Sequence, residues 1–141
     1  MSGFQVDPAF DAGSRPLGEL GLCTVRLQVD ARFPWLILLP RVHGARELED
    51  LGETDRARLI EEIVAAGRAV RAMGEALGRP VEKLNIGALG NVTPQLHVHV
   101  VGRRSDDGAW PGPVWGVGEA KPPAGAELET AAAAARRALG P

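Results

Sequence analysis

The chain has 141 residues, 16 basic against 18 acidic side chains and a formal net charge of −2, with 45% hydrophobic and 24% charged positions. That length suits one domain with a real core, and the charge offers no general attraction for duplex nucleic acid. The one cysteine, Cys23, excludes an internal disulfide framework and a cysteine-rich zinc site, and is expected to be a small buried apolar side chain. No apolar run approaches membrane-spanning length, and the N-terminus lacks a basic stretch followed by an apolar one. A soluble cytoplasmic protein with no membrane partner is therefore expected.

Residues 1–20, punctuated by Pro8, Gly13, Pro16 and Gly18, read as an irregular lead-in. Residues 22–29 alternate, with Val25, Leu27 and Val29 on one side and Thr24, Arg26 and Gln28 on the other, which predicts a strand with one buried face. The apolar run 35–39, stopped by Pro40, predicts a strand covered on both faces. From Thr54 or Asp55, either of which can cap a helix, Leu59, Ile60, Ile63, Val64, Gly67, Val70 and Leu77 recur at helical spacing. Glu61, Glu62, Arg68, Arg71 and Glu75 fall elsewhere on that wheel, and Gly78 with Pro80 ends the helix. Residues 81–89 and 95–103 alternate again as strands. The tail, residues 119–141, is alanine-rich and expected to be helical over 127–139. Both strand pairs have short connections, which suits antiparallel hairpins. The fold class expected is α+β, an antiparallel sheet with the long helix packed on one face, in a single domain spanning 1–141.

Two of the three histidines lie in the stretch Asn91-Val92-Thr93-Pro94-Gln95-Leu96-His97-Val98-His99-Val100-Val101. On a strand, Gln95, His97 and His99 would share one face and Leu96, Val98 and Val100 the other. Taken alone, His-x-His leaves three readings open: a divalent metal site needing a third ligand such as His43 or Asp30, a metal-free catalytic pair, or two structural histidines. The preceding loop, Asn85-Ile86-Gly87-Ala88-Leu89-Gly90-Asn91, combines glycines that let backbone amides approach an anion with two asparagine donors. Beside the histidines it suggests a phosphoryl site. Arg103 and Arg104 read first as plain exposed cations at a strand end, and second as candidates for distal phosphates. Trp110 and Trp115 are candidates to cover the site, to form a dimer interface or to close the core.

These motifs, together with Trp35-Leu36-Ile37-Leu38-Leu39-Pro40-Arg41 and Trp110-Pro111-Gly112, resemble the histidine triad nucleotide hydrolases and transferases over roughly residues 22–117. The resemblance implies a HIT-like fold and a two-step transfer at the α-phosphate of a nucleotide, such as a dinucleoside polyphosphate (diadenosine tetraphosphate, for example) or a nucleoside phosphoramidate. It implies His97 as the nucleophile of a covalent nucleotidyl intermediate, with its second ring nitrogen donating to a backbone carbonyl. His99 would stabilise the phosphoryl oxygens. Asn85, Gly90, Asn91, Val92 and Thr93 would hold phosphate oxygens and Asp30 the ribose hydroxyls. No cofactor and no protein-held metal is implied, and a homodimer is. Two positions depart from the family pattern. Gln95 stands at the first triad position and Trp35 where a further histidine is common, so a relay of four imidazoles is reduced to two. Those departures keep one rival alive, a nucleotide-binding module with little turnover; the His-x-His pair itself supports a second, a metal-dependent site.

Overall fold

The computed structural model describes residues 3–140, so the first two residues of the expected lead-in and Pro141 of the tail lie outside the described residues. Five strands, β1 (Ser14–Glu19), β2 (Cys23–Gln28), β3 (Trp35–Pro40), β4 (Lys83–Gly87) and β5 (Val98–Arg103), form one antiparallel sheet in the order β1-β2-β3-β5-β4. Helix α1 (Glu53–Ala76) packs on one face, and α2 (Gly125–Leu139) packs against α1. This is the α+β arrangement that the alternating strands and the long helix call for. No helix among the described residues is long and apolar enough to cross a membrane.

Every residue of β3 is buried, as its unbroken apolar run requires. Its alternate side chains enter two clusters. Leu36 and Leu38 join Val25, Val98 and Val100 under Leu59, Val70 and Met73 of α1. Trp35, Ile37 and Leu39 join Phe10, Phe33, Val101 and Val114 on the opposite face. The sheet is therefore packed on both sides, with the helices on one and loops and the N-terminal segment on the other.

The structure departs from the sequence reading in several places, among them the start of α1, whose N-cap is Gly52 rather than Thr54 or Asp55. Residues 14–19, expected as irregular, form edge strand β1; the ladder shifts register between Pro16 and Gly18, and an edge tolerates a residue that cannot donate. Strand β5 starts at Val98 rather than at residue 95, because the Leu96 amide is taken by the Ala45 carbonyl at 3.0 Å instead of by a sheet neighbour. Glu62, placed off the apolar stripe of the α1 wheel, is buried at 7% exposure. Its two carboxylate oxygens accept from the amides of Leu22 and Cys23, each at 2.8 Å, and pin the β1–β2 turn to the helix. The Cys23 thiol beside it is buried and pushed far up in pKa by that burial and by the Glu62 charge, so it packs as an inert apolar group.

Replacing Glu62 with alanine orphans two buried amides, and the expected loss is about 2–3 kcal/mol of folding stability, read by urea unfolding. A loss below about 0.5 kcal/mol would show that water takes over both bonds.

Candidate active site

His97 sits just before β5 and His99 is its second residue, so both project from the sheet face opposite α1. Their rings lie 4.9 Å apart at an interplanar angle of 74°. The Nδ1 of His97 is 2.7 Å from the backbone carbonyl of Gln95. A carbonyl only accepts, so Nδ1 carries the proton and the neutral ring keeps its lone pair on Nε2. His99 has the reverse arrangement. The indole N–H of Trp35 donates to its Nδ1 at 2.9 Å. Indole only donates, so the proton of neutral His99 resides on Nε2. Burial, and then the neighbouring His97, pull the His99 pKa down to about 4, which keeps this ring neutral at pH 7.

Aromatic rings enclose the pair. Trp35 and Trp115 flank His99 at 5.6 and 5.5 Å, and Phe10 meets His97 edge-on at 4.7 Å. His97 is consequently only 6% exposed. Trp115 fits where it does because Gly87 of β4 has no side chain; a Cβ there would stand 3.1 Å from the indole. The indole N–H of Trp115 is buried and has no acceptor among the described residues.

The loop that brings Trp115 over His99 is organised by a buried ion pair at the end of β5. Asp107 accepts from Arg103 Nε at 2.8 Å and Nη2 at 3.0 Å, and from the amides of Ala109 and Trp110 at 3.0 and 2.8 Å. Burial by itself would raise the Asp107 pKa, but the Arg103 guanidinium and the amides of Arg104 and Ala109 outweigh it and hold the group down to about 2. Arg103 is 1% exposed and also lies over the rings of Phe33 and Trp110, at 5.6 and 5.7 Å. Arg103 is thus not free for a distal phosphate, and Arg104, partly exposed, is paired with Asp106 at 2.9 Å.

The other sequence candidates divide into those the structure gathers near His97 and those it does not. A cavity of about 190 Å³ beside His97 is lined by Gly90, Gln95, Leu89, Arg46 and Glu47 among others. The amides of Asn91, Val92 and Thr93, in the exposed turn leading to Gln95, have no backbone acceptor among the described residues. Asn85 is on β4, its Oδ1 accepting from Arg103 at 2.7 Å. Gln95 does not share a strand face with the histidines. Its Oε1 accepts from the Asp7 amide and its Nε2 donates to the Gln5 carbonyl, both at 2.8 Å, so the side chain holds the N-terminal segment down. Asp30 is not available to a ribose. Its carboxylate is gripped by Arg32 through Nη2 at 2.9 Å and faces the Arg32 and Lys121 amides. It lines a different cleft, with Met73 and Leu128. Among the described residues no three His, Cys, Asp or Glu side chains gather as a metal site requires, and exposed His43 is not beside the pair.

Sequence reasoning missed Phe10, the segment around Gln5 and Asp7, and Asp107. The first two had a faint signal in the apolar residues Phe4, Val6 and Phe10 of an otherwise polar lead-in. Asp107 follows Arg103 by four positions, a spacing that reads as a pair only once the chain turns there.

The chain matches the HIT domain family over residues 11–106. It belongs to that family. Among solved structures, a histidine triad protein from Sinorhizobium meliloti 1021 is 43% identical, with a TM-score of 0.86 over 97% of this chain and 98% of that one. A histidine triad protein from Bradyrhizobium japonicum is 38% identical, with a TM-score of 0.89 over 96% and 98% of the two chains. One from Marinobacter aquaeolei VT8 is 39% identical, with a TM-score of 0.86 over 97% and 96%. A search among curated proteins returns no match. Membership in the HIT family suggests nucleotide binding with hydrolase or transferase activity.

The His99 environment of this HIT domain makes its stability depend on pH in a defined window. The folded-state pKa, about 4, lies below the ordinary histidine value of about 6.5, so the unfolded chain binds the proton first as pH falls. Stability is retained above about pH 6.5 and falls between there and about pH 4 by about 3 kcal/mol. Asp107, with its pKa of about 2, adds its loss at lower pH. Denaturation at stepped pH should show a flatter profile in this window for His99→Gln; identical slopes would contradict the shift.

Proposed function

We propose that this HIT domain is a nucleotidyl hydrolase or transferase, acting on a dinucleoside polyphosphate or a related nucleotide conjugate through a covalent intermediate on His97. The observation that carries the reading is the 2.7 Å contact between His97 Nδ1 and the Gln95 carbonyl, which leaves Nε2 as the nucleophilic atom. Nε2 attacks the α-phosphorus, the leaving group departs, and water or another acceptor then displaces His97 to release the nucleotide. The new positive charge on the imidazole is stabilised by the carbonyl that already accepts its Nδ1 proton. His99, with its proton on Nε2, donates to a phosphoryl oxygen. The amides of residues 91–93, the Asn85 amide and Gly90 hold the remaining oxygens. Gln95 serves this scheme through its backbone carbonyl, since its side chain is occupied by the N-terminal segment.

A second reading, nucleotide binding without turnover, draws on the close cover that Phe10 and Trp115 place over both rings. One experiment separates the two. Protein in excess over diadenosine tetraphosphate, quenched without acid and analysed by mass spectrometry, should show an adenylyl adduct on His97 and subsequent release of AMP. His97→Ala should lose the adduct and lower the rate at least about 10³-fold. Binding by calorimetry with neither adduct nor product would establish the binding module instead.

We also propose a homodimer. Strand β4 is a sheet edge, and Ile86 on it is 53% exposed; on α1, Ile60 and Val64 are 58% and 43% exposed. An open edge flanked by apolar side chains is a pairing surface for a second copy. Sedimentation should report a dimer for the native chain and a monomer for Ile86→Asp; a native monomer at micromolar concentration would contradict the proposal.

A further inference from the structure

The two positions at which four imidazoles become two are filled by side chains that hold protons still. Gln95 has its amide committed to Gln5 and Asp7, and Trp35 gives its only N–H to His99 Nδ1. The rings packed on His99 are Trp35, Trp115 and His97, and the ring packed on the far side of His97 is Phe10. Of these only the histidines titrate. His97 must present a lone pair to react, and its remaining proton is held by the Gln95 carbonyl. For His99 to act as an acid it would have to become imidazolium, with a proton on Nδ1 facing the indole N–H. Donor would then meet donor, in a ring already stripped of water. The charged groups lining the adjoining cavity are Arg46, Glu47 and Glu49. Among the described residues none of the three side chains is hydrogen-bonded to either histidine ring.

We propose, building on the nucleotidyl-transfer reading, that Trp35 sets the leaving-group selectivity of this site. By fixing His99 as a neutral Nε2–H donor, it leaves the reaction without a protein acid, so the site takes nucleotides whose leaving group departs as a phosphate oxyanion and discriminates against phosphoramidates. In the favoured case His97 Nε2 forms a bond to the α-phosphorus while the bridging P–O bond breaks. The electron pair goes to the oxygen of the departing nucleoside polyphosphate, which is stable at neutral pH without a proton. Water then adds its oxygen to phosphorus, releases a proton to solvent and returns the electron pair to His97. In a phosphoramidate the breaking P–N bond would place the pair on nitrogen, and that leaving group needs a proton the site does not supply. Trp35 is a positioning residue in this account, acting through His99.

The test compares kcat/KM on diadenosine tetraphosphate and on adenosine 5′-phosphoramidate for the wild type, Trp35→Phe and Trp35→His, beside nitrogen-15 NMR of the histidine rings. For the wild type the anhydride should be favoured by about 100-fold or more, the range a missing general acid imposes. NMR should show the proton of neutral His99 on Nε2 and that of His97 on Nδ1. Trp35→Phe keeps an aromatic ring but removes the donor. It should mix the His99 tautomers and lower kcat on the anhydride about 10- to 100-fold, with KM changed far less. Trp35→His restores a titrating group and should narrow the preference at least about tenfold. Equal wild-type rates on the two substrates overturn the selectivity. A proton on His99 Nδ1 in the wild type overturns the lock beneath it, whether or not the variants fold. If neither substrate labels His97 while the Nε2–H tautomer is in place, the selectivity falls together with the nucleotidyl-transfer reading, and the fault lies in that reading.

Discussion

The hydrogen bond from His97 Nδ1 to the Gln95 carbonyl spans only two residues, so it is set by the path of the backbone as the chain joins β5. That path is held from three directions. The Leu96 amide donates to Ala45, in the connector before α1, and the Gln95 side chain clamps Gln5 and Asp7. From Val98 onward the sheet takes over, with His99 opposite Ile37 of β3 and Gly87 of β4. A loose turn would let the ring rotate and trade tautomers. Fastening it to the connector and the N-terminal segment removes that freedom before any substrate arrives, which is where preorganised sites gain their rate.

Supporting structure at the other end of β5 works by electrostatics. Arg103 and Asp107 are both taken out of water, an expensive arrangement that is offset here because nearly every polar atom of the pair has a partner. What the pair secures is geometry. Arg103 lies over both Phe33 and Trp110, and further along the same loop Val114 and Trp115 join the aromatic cluster around Trp35. The dry environment that keeps His99 neutral thus depends on a charge pair at the far end of its own strand.

Legibility in the sequence follows the range of the interactions concerned. The histidine pair, the doubly buried β3 and the long helix were readable because each is written in local periodicity. Gln95 was misplaced by that same rule. It continues the alternation of His97 and His99, yet Pro94 before it and the Leu96–Ala45 bond after it take it off the sheet. Asp30 is assigned to a sugar by the resemblance alone, and Arg32, two positions on, turns back and grips the carboxylate. Glu62 followed the polar face of a helical wheel and was overruled by two amides about forty residues away in sequence. Strand β1 was hidden by Pro16 and Gly18, which punctuate loops but also suit a bulged edge. In each case a contact distant in the chain, or a bend that brings near residues together, decided against the local pattern.

A double displacement at phosphorus through His97 would leave a stereochemical record. Hydrolysis of an adenosine polyphosphate made chiral by sulfur at the α-phosphorus, run in oxygen-18 water, reports how many in-line displacements occur. Two displacements, one by His97 and one by water, invert twice and give overall retention. Overall inversion would mean that water attacks the phosphorus directly, and that His97 only assists.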